Sequence, residues 1–323
     1  MRAAALASVP IAAWAGALSV AQLVGVALVV SFASVLFDVA NSTFIVSVVP
    51  REDLTRRNSL VSGTVAVTQT GGPSLGGLLV HLVGAAGAVM FDVGSFLASA
   101  LLLSRLPAGE PAAEGEQPSV RAAIRDGWHF VLRHPTIGPG TAMAAATNFV
   151  CGALLALSPL FLVRTLHIPV GFVGLLIASE GVGTLIGAAI TPRLSARVGT
   201  ARLLLVAAPV GSLFALLIPL AGHGAGVLLF ALGNAGFAGG VVVLSVLNRT
   251  HRQEASPGEL LPRVVATVRF VSWGVIPLGA LLAGVLAGAA GIRTSLALFC
   301  AASFVVPAIA WASPIRGRRD LAD

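Results

Sequence analysis

Lysine and tyrosine are absent from this 323-residue chain, and cysteine occurs only twice. Cys151 and Cys300 both lie inside apolar runs, which excludes a disulfide framework and a zinc spacing. Charge is also scarce: 10% of residues are charged, against about 25% in an average soluble domain. With 56% hydrophobic residues, the chain has more apolar surface than a soluble core of this size can hide, so lipid must cover it. The formal charge of +7 does not imply nucleic acid, because no basic stripe alternates with aromatics. The sequence has no paired Asp motif, intramembrane Ser/His pair, zinc motif or P-loop. Enzymatic chemistry and ATP-driven pumping are therefore not expected, nor is a metal or cofactor.

Acids are rare where the chain is most apolar. Of 13 acidic residues, three stand inside long apolar stretches: Asp38, Asp92 and Glu180. A carboxylate in hydrocarbon is costly, at least about 2.5–3.5 kcal/mol for Asp at a helix centre. Such residues typically belong to an ion or proton pathway, and a membrane carrier is the reading they support.

Ten segments are long and apolar enough to approach a bilayer crossing: 3–18, 20–48, 60–83, 86–103, 137–163, 170–191, 201–220, 224–247, 264–289 and 292–312. The arginines alternate with them. Eighteen of the 20 fall at alternate ends, and the intervening loops hold only Arg164 and Arg293. Positive residues concentrate on the cytoplasmic side, which predicts an inner (plasma) membrane protein with both termini in the cytoplasm.

A Pro/Glu/Ala-rich linker opens the segment 104–136 and divides the chain. The sequence SVRAAIRDGWHFVLRHP follows, with Val120, Ile124, Trp128, Val131 and Leu132 at helical spacing opposite Arg121, Arg125, His129 and Arg133. This predicts an amphipathic helix, lying either in the membrane interface or against the transport domains. The expected division is an N-terminal bundle over 1–103, this linker over 104–136, and a C-terminal bundle over 137–323.

An internal repeat relates the two bundles. Pro50-Arg-Glu-Asp-Leu-Thr-Arg56 resembles Pro257-Gly-Glu-Leu-Leu-Pro-Arg263, and each precedes a Pro-Leu-Gly element, Pro73-Ser-Leu-Gly and Pro277-Leu-Gly. The pairing sets the third span against the ninth, as a duplicated six-helix unit requires. On that offset the first unit lacks two helices, expected ahead of Met1. A start codon placed too late and a genuinely shortened chain are the alternatives.

On these residues the chain resembles the major facilitator superfamily, in the branch of enterobactin exporters and macrolide-efflux proteins. The resemblance rests on FDVANSTFIVSVVPREDL (37–54), GGPSLGGLLV (71–80), FDVGSFLASALLL (91–103), GWHFVLRHP (127–135) and RVVATVRFVSWGVIPLGALLAG (263–284). It implies an all-α integral membrane fold of two pseudo-symmetric bundles, with this chain running from the third to the twelfth of twelve helices. Gly72, Pro73, Gly76 and Gly77 match the core of an antiporter signature on the fifth helix. Gly183 and Gly187 on the eighth offer small-xxx-small spacing for it. Arg193, Arg197 and Gly199 form a degenerate gate loop in which Ala196 stands where the acid would be.

The resemblance implies proton-coupled export of a small amphipathic molecule, such as a drug, macrolide or siderophore, by alternating access. Asp38, Glu180 and Asp92 are the coupling candidates. Asn148, Asn234 and Arg269 are candidate substrate contacts, or else interhelical hydrogen-bond groups and a snorkelling cation. Protons, a small molecule and the bilayer are the expected partners, the chain being a monomer if full length. The competing expectation is a shortened remnant, inactive in transport or working only in an assembly.

Overall fold

The computed structural model describes residues 1–48, 50, 53–105 and 120–322. Among the described residues the architecture is all-helical, and seven helical segments are long and apolar enough to cross a membrane. By internal contacts the chain forms two units. One is Met1–Val48 with Gln69–Gln117, and the other is Val49–Thr68 with Pro118–Asp323.

In the first unit α1 (Arg2–Trp14) and α2 (Val20–Val48) form a hairpin. Gln22 Nε2 donates to the Ser8 carbonyl at 3.0 Å and Arg2 Nη2 to the Ala33 carbonyl at 2.9 Å. The Arg2 guanidinium also lies over the rings of Phe37 and Phe96, at 5.1 and 5.5 Å. α3 (Leu54–Leu103) is two expected spans joined through Gly84, whose φ of 76° breaks the helical path between them.

The second unit holds α4 (Val120–Arg133), α5 (Ile137–Leu160), α6 (Val170–Val198), α7 (Thr200–Ala215), α8 (Leu217–Leu220), α9 (Leu228–Ala255), α10 (Leu261–Gly274), α11 (Ile276–Ala290), α12 (Ile292–Ala302) and α13 (Val305–Ala312). The spans at 261–290 and 292–312 are each broken once, next to Pro277 and Pro307. Proline lacks the N–H that would continue the ladder.

Backbone contact at glycine builds this bundle, because lipid offers helices no hydrophobic reason to associate. A Cβ on Gly183 would collide with the Ala235 carbonyl, and one on Gly187 would fall 2.6 Å from the Gly239 carbonyl. Gly183 and Gly187 therefore seat α6 on α9. Gly152 against Ile276, and Gly279 against Phe149, do the same for α5 and α11. Phe161 and Phe237 fill the core at 0% and 7% exposure. Large apolar side chains such as Leu155, Leu175 and Phe270 are instead exposed on the isolated chain, as expected of a surface that lipid covers.

Candidate functional site

Two polar clusters in the second unit gather at the C-terminal end of α9. The first is built on Asn58, in the opening turns of α3 and 1% exposed. Its Nδ2 donates to Thr250 Oγ1 at 3.0 Å and to Gln253 Oε1 at 2.7 Å. Thr250 and Gln253 stand three residues apart and so share one face of α9. Leu54, Ser59 and Ser62 are buried beside them, and a Cβ on Gly63 would meet Leu185 and Ala188 of α6 at van der Waals distance. Asn58 thus ties the stretch 54–68 to α9 through two neutral hydrogen bonds. Each such bond nets about 0.5–1.5 kcal/mol, yet leaving a buried partner unsatisfied costs about 1–3 kcal/mol.

The second cluster is His134, Thr136 and His251. Thr136 Oγ1 lies 2.6 Å from His251 Nε2 and 3.2 Å from His134 Nδ1. His134 Nδ1 also accepts from the backbone N–H groups of Thr136 and Ile137, at 3.4 and 3.2 Å, and so caps the start of α5. Burial, and secondarily the Arg318 charge, hold His134 below the ordinary imidazole value. The His134 and His251 rings meet edge-on at 5.9 Å. Around both clusters Ser59 Oγ, His251 Nδ1, Arg252 Nε and Ser256 Oγ are buried with no hydrogen-bond partner among the described residues.

The expected gate loop takes its shape from the C-terminal segment. Arg193 and Arg197 are exposed at the end of α6. Gly199, at φ 95°, turns the chain into α7 against the backbone of Arg319. The Arg319 carbonyl accepts from Ala201 N–H at 3.0 Å, Asp320 Oδ1 accepts from Thr200 N–H at 2.8 Å, and Leu321 is 2% exposed. A carboxylate at the N-terminus of α7 complements the helix dipole. The loop that has Ala196 in place of an acid thus receives one from the tail.

The other expected residues stand on several helices. Asp38 lies in α2; its side chain and that of Pro73 are outside the described ones, and the surroundings of Gly77 are likewise outside them. At Gly72 and Gly76 an added Cβ would meet nothing within 4 Å among described residues. Asp92 is exposed on α3, with Ser95 Oγ donating to its backbone carbonyl at 2.8 Å. Glu180 is exposed on the isolated chain, on α6. One residue before it, Ser179 Oγ accepts from Asn234 Nδ2 at 3.2 Å, and the Ile177 carbonyl accepts from the same amide at 3.2 Å. Asn148 Nδ2 donates to the Ser272 carbonyl at 2.8 Å. Both asparagines therefore bridge helices. The Arg269 guanidinium stacks 4.3 Å over the Trp273 ring.

Asn58, Thr250, Gln253, His134, Thr136, His251 and Asp320 did not stand out in the sequence. One signal was present: Asn248, Thr250, His251 and Gln253 continue the helical spacing of α9 beyond its apolar part. The expected segment stops at 247, whereas α9 runs to Ala255.

A family model described as "transmembrane secretion effector" matches residues 1–321. No curated protein matches the sequence significantly. Among solved structures, one similar fold is a bacterial homologue of the iron transporter ferroportin in an outward-facing state. It is 18% identical, covers 92% of this chain and 73% of that one, and has a TM-score of 0.76. The same homologue with soaked iron is 17% identical over 92% and 72% of the two chains, with a TM-score of 0.69. The major facilitator superfamily transporter FucP in its outward conformation is 16% identical over 95% and 79%, with a TM-score of 0.68.

Proposed function

This chain belongs to the transmembrane secretion effector family of the major facilitator superfamily, and on that premise we propose that it exports a small amphipathic molecule by proton-coupled alternating access. That it is a multi-pass membrane transporter follows from the family and from the seven long apolar helices among its described residues. The direction of transport, the coupling ion and the class of substrate are the proposal. The word "secretion" in the family description supports export. The arginine alternation supports cytoplasmic termini and an inner-membrane location.

The observation that carries the mechanism is the docking of Asn58 on Thr250 and Gln253. Alternating access needs a contact that is specific when made and inexpensive to break. Neutral hydrogen bonds meet that need, where a buried ion pair would leave a charge stranded on opening. The neighbouring orphans Ser59 Oγ, His251 Nδ1 and Ser256 Oγ support the same reading. Buried polar groups are ordinarily paired, and ones left over beside a docked segment suit a conformation that is not the sole one. Release of 54–68 from α9 is the movement assigned to exchange in this reading.

In this reading Glu180 takes a proton from the outer side, biases the carrier and gives the proton up inside, with Asp38 as the second candidate. Asn148, Asn234 and Arg269 border the substrate path, and Gly72, Pro73, Gly76 and Gly77 bend the fifth helix during exchange. The test is efflux from proteoliposomes under an imposed pH gradient, with amphipathic drugs and siderophores as trial substrates. Accumulation that collapses with a protonophore is expected. Substrate movement indifferent to the gradient would end the proton assignment.

A further inference from the structure

α4 is more than a linker helix. Its residues turn by about 100° each, and one circuit of the helix passes through three distinct surfaces. Gly127 and Val131 face α10: a Cβ on Gly127 would fall 2.7 Å from Thr267 Oγ1 and 2.8 Å from the Arg263 carbonyl, and Val131 is 3% exposed. Next come Ile124, Trp128 and Leu132, which remain 63%, 43% and 67% exposed. Then come Arg125, His129 and Arg133, all exposed. Asp126 closes the circuit by accepting from Arg263 Nη1 at 3.3 Å.

Protein, then apolar, then basic is the order a helix shows when it leans on a spanning bundle at the edge of the hydrocarbon. Chain connectivity fixes its depth. Three residues separate Arg133 from Ile137, where a membrane span begins. At about 3.3–3.6 Å per residue they cannot carry α4 beyond the headgroup layer. His134 tightens this further by capping α5 through its Nδ1. Val131 and Ile137 share one apolar cluster with Val264 and Val268, so α4 and the mouth of the span are one packed body.

We infer that the Ile124–Trp128–Leu132 stripe is buried in the headgroup region of the bilayer leaflet on the arginine-rich side, with Arg125 and Arg133 on lipid phosphates. The exposed apolar stripe is continuous with a membrane span, and the adjoining row carries positive charge, the complement of an anionic phospholipid surface. The inference does not depend on what the chain transports or in which direction.

Trp128 is its own probe. The full chain with Trp14, Trp273 and Trp311 replaced by Phe is reconstituted in vesicles of phosphatidylcholine and phosphatidylglycerol. Lipids brominated near the headgroup should quench Trp128 emission twofold or more, lipids brominated near the chain ends less, and aqueous acrylamide least. Arg125→Gln with Arg133→Gln should remove the response of the emission maximum to phosphatidylglycerol. If the three-Phe chain does not fold, the difference spectrum between the natural chain and Trp128→Phe gives the same reading. Strong acrylamide quenching would place the stripe in water. Protection from both quenchers would place it under protein, a second copy or another part of this chain. Either result overturns the inference.

Discussion

Asn58 Nδ2 donates to Gln253 Oε1 across 2.7 Å, between side chains that are 1% and 3% exposed and stand 195 residues apart in the chain. The contact ties the beginning of α3 to the end of α9. Asn58→Ala leaves two buried acceptors short of a donor, at a cost of about 1–3 kcal/mol. A cysteine introduced at Ser62, which is 8% exposed, should then react with a small thiol reagent roughly 5- to 100-fold faster than in the intact chain. An unchanged rate would show that Asn58 does not hold the segment down.

Glu180→Gln keeps the shape of the side chain and removes its proton chemistry. Uphill efflux should fall at least tenfold while downhill exchange continues. Asp38→Asn is the parallel variant. Full uphill efflux by both would leave the coupling assignment without support.

Gly183→Ala drives a methyl into the Ala235 carbonyl and must force α6 away from α9. Overpacking of this kind costs about 1–3 kcal/mol, and the melting temperature in detergent should fall by several degrees. Gly72→Ala and Gly76→Ala meet open space among the described residues and should leave the melting temperature unchanged or slightly higher, since Ala favours helix over Gly by about 1 kcal/mol.

His134 ties stability to pH. Its Nδ1 accepts two backbone N–H groups, so a proton there ends the cap on α5. Burial and Arg318 lower its folded value below the ordinary 6.5. On acidification the unfolded chain therefore takes up the proton first. Stability is full above the ordinary imidazole value and is lost as pH falls from there toward the depressed folded one. The melting temperature should drop between pH 7.5 and 5.5, and drop less in His134→Asn, which keeps a capping side chain without a titrating ring. Equal drops in the two proteins would remove His134 as a source.

Asp320→Ala takes an acceptor from the first turn of α7. A cap and dipole loss of about 0.5–2 kcal/mol is expected, read as a lower melting temperature. Asp320→Asn should recover most of it. Failure of Asn to do so would mean that charge, not the hydrogen bond, fastens the tail.

The helices were legible in the sequence because each needs only its own residues. Apolar length sets a span, and Pro277 and Gly84 break the ladder wherever they stand. Class, span order and the arginine alternation follow from the same local information. The amphipathic spacing of 120–133 also predicted α4, and left open whether it lies on lipid or on protein. The structure packs one of its faces, through Gly127 and Val131, and leaves another exposed.

What the sequence could not carry was partnership. Nothing near Asn58 indicates that Gln253 will accept its hydrogen bond, or near Gly183 that it will meet Ala235. Nor does the missing acid of the 191–199 loop announce that Asp320 will arrive from the tail. Local chemistry fixes which groups must find partners, because a buried amide or helix end cannot go unsatisfied. Which group answers is decided only when distant helices close on one another. That choice depends on backbone approach at a few ångströms, a scale that residue order along one helix does not record.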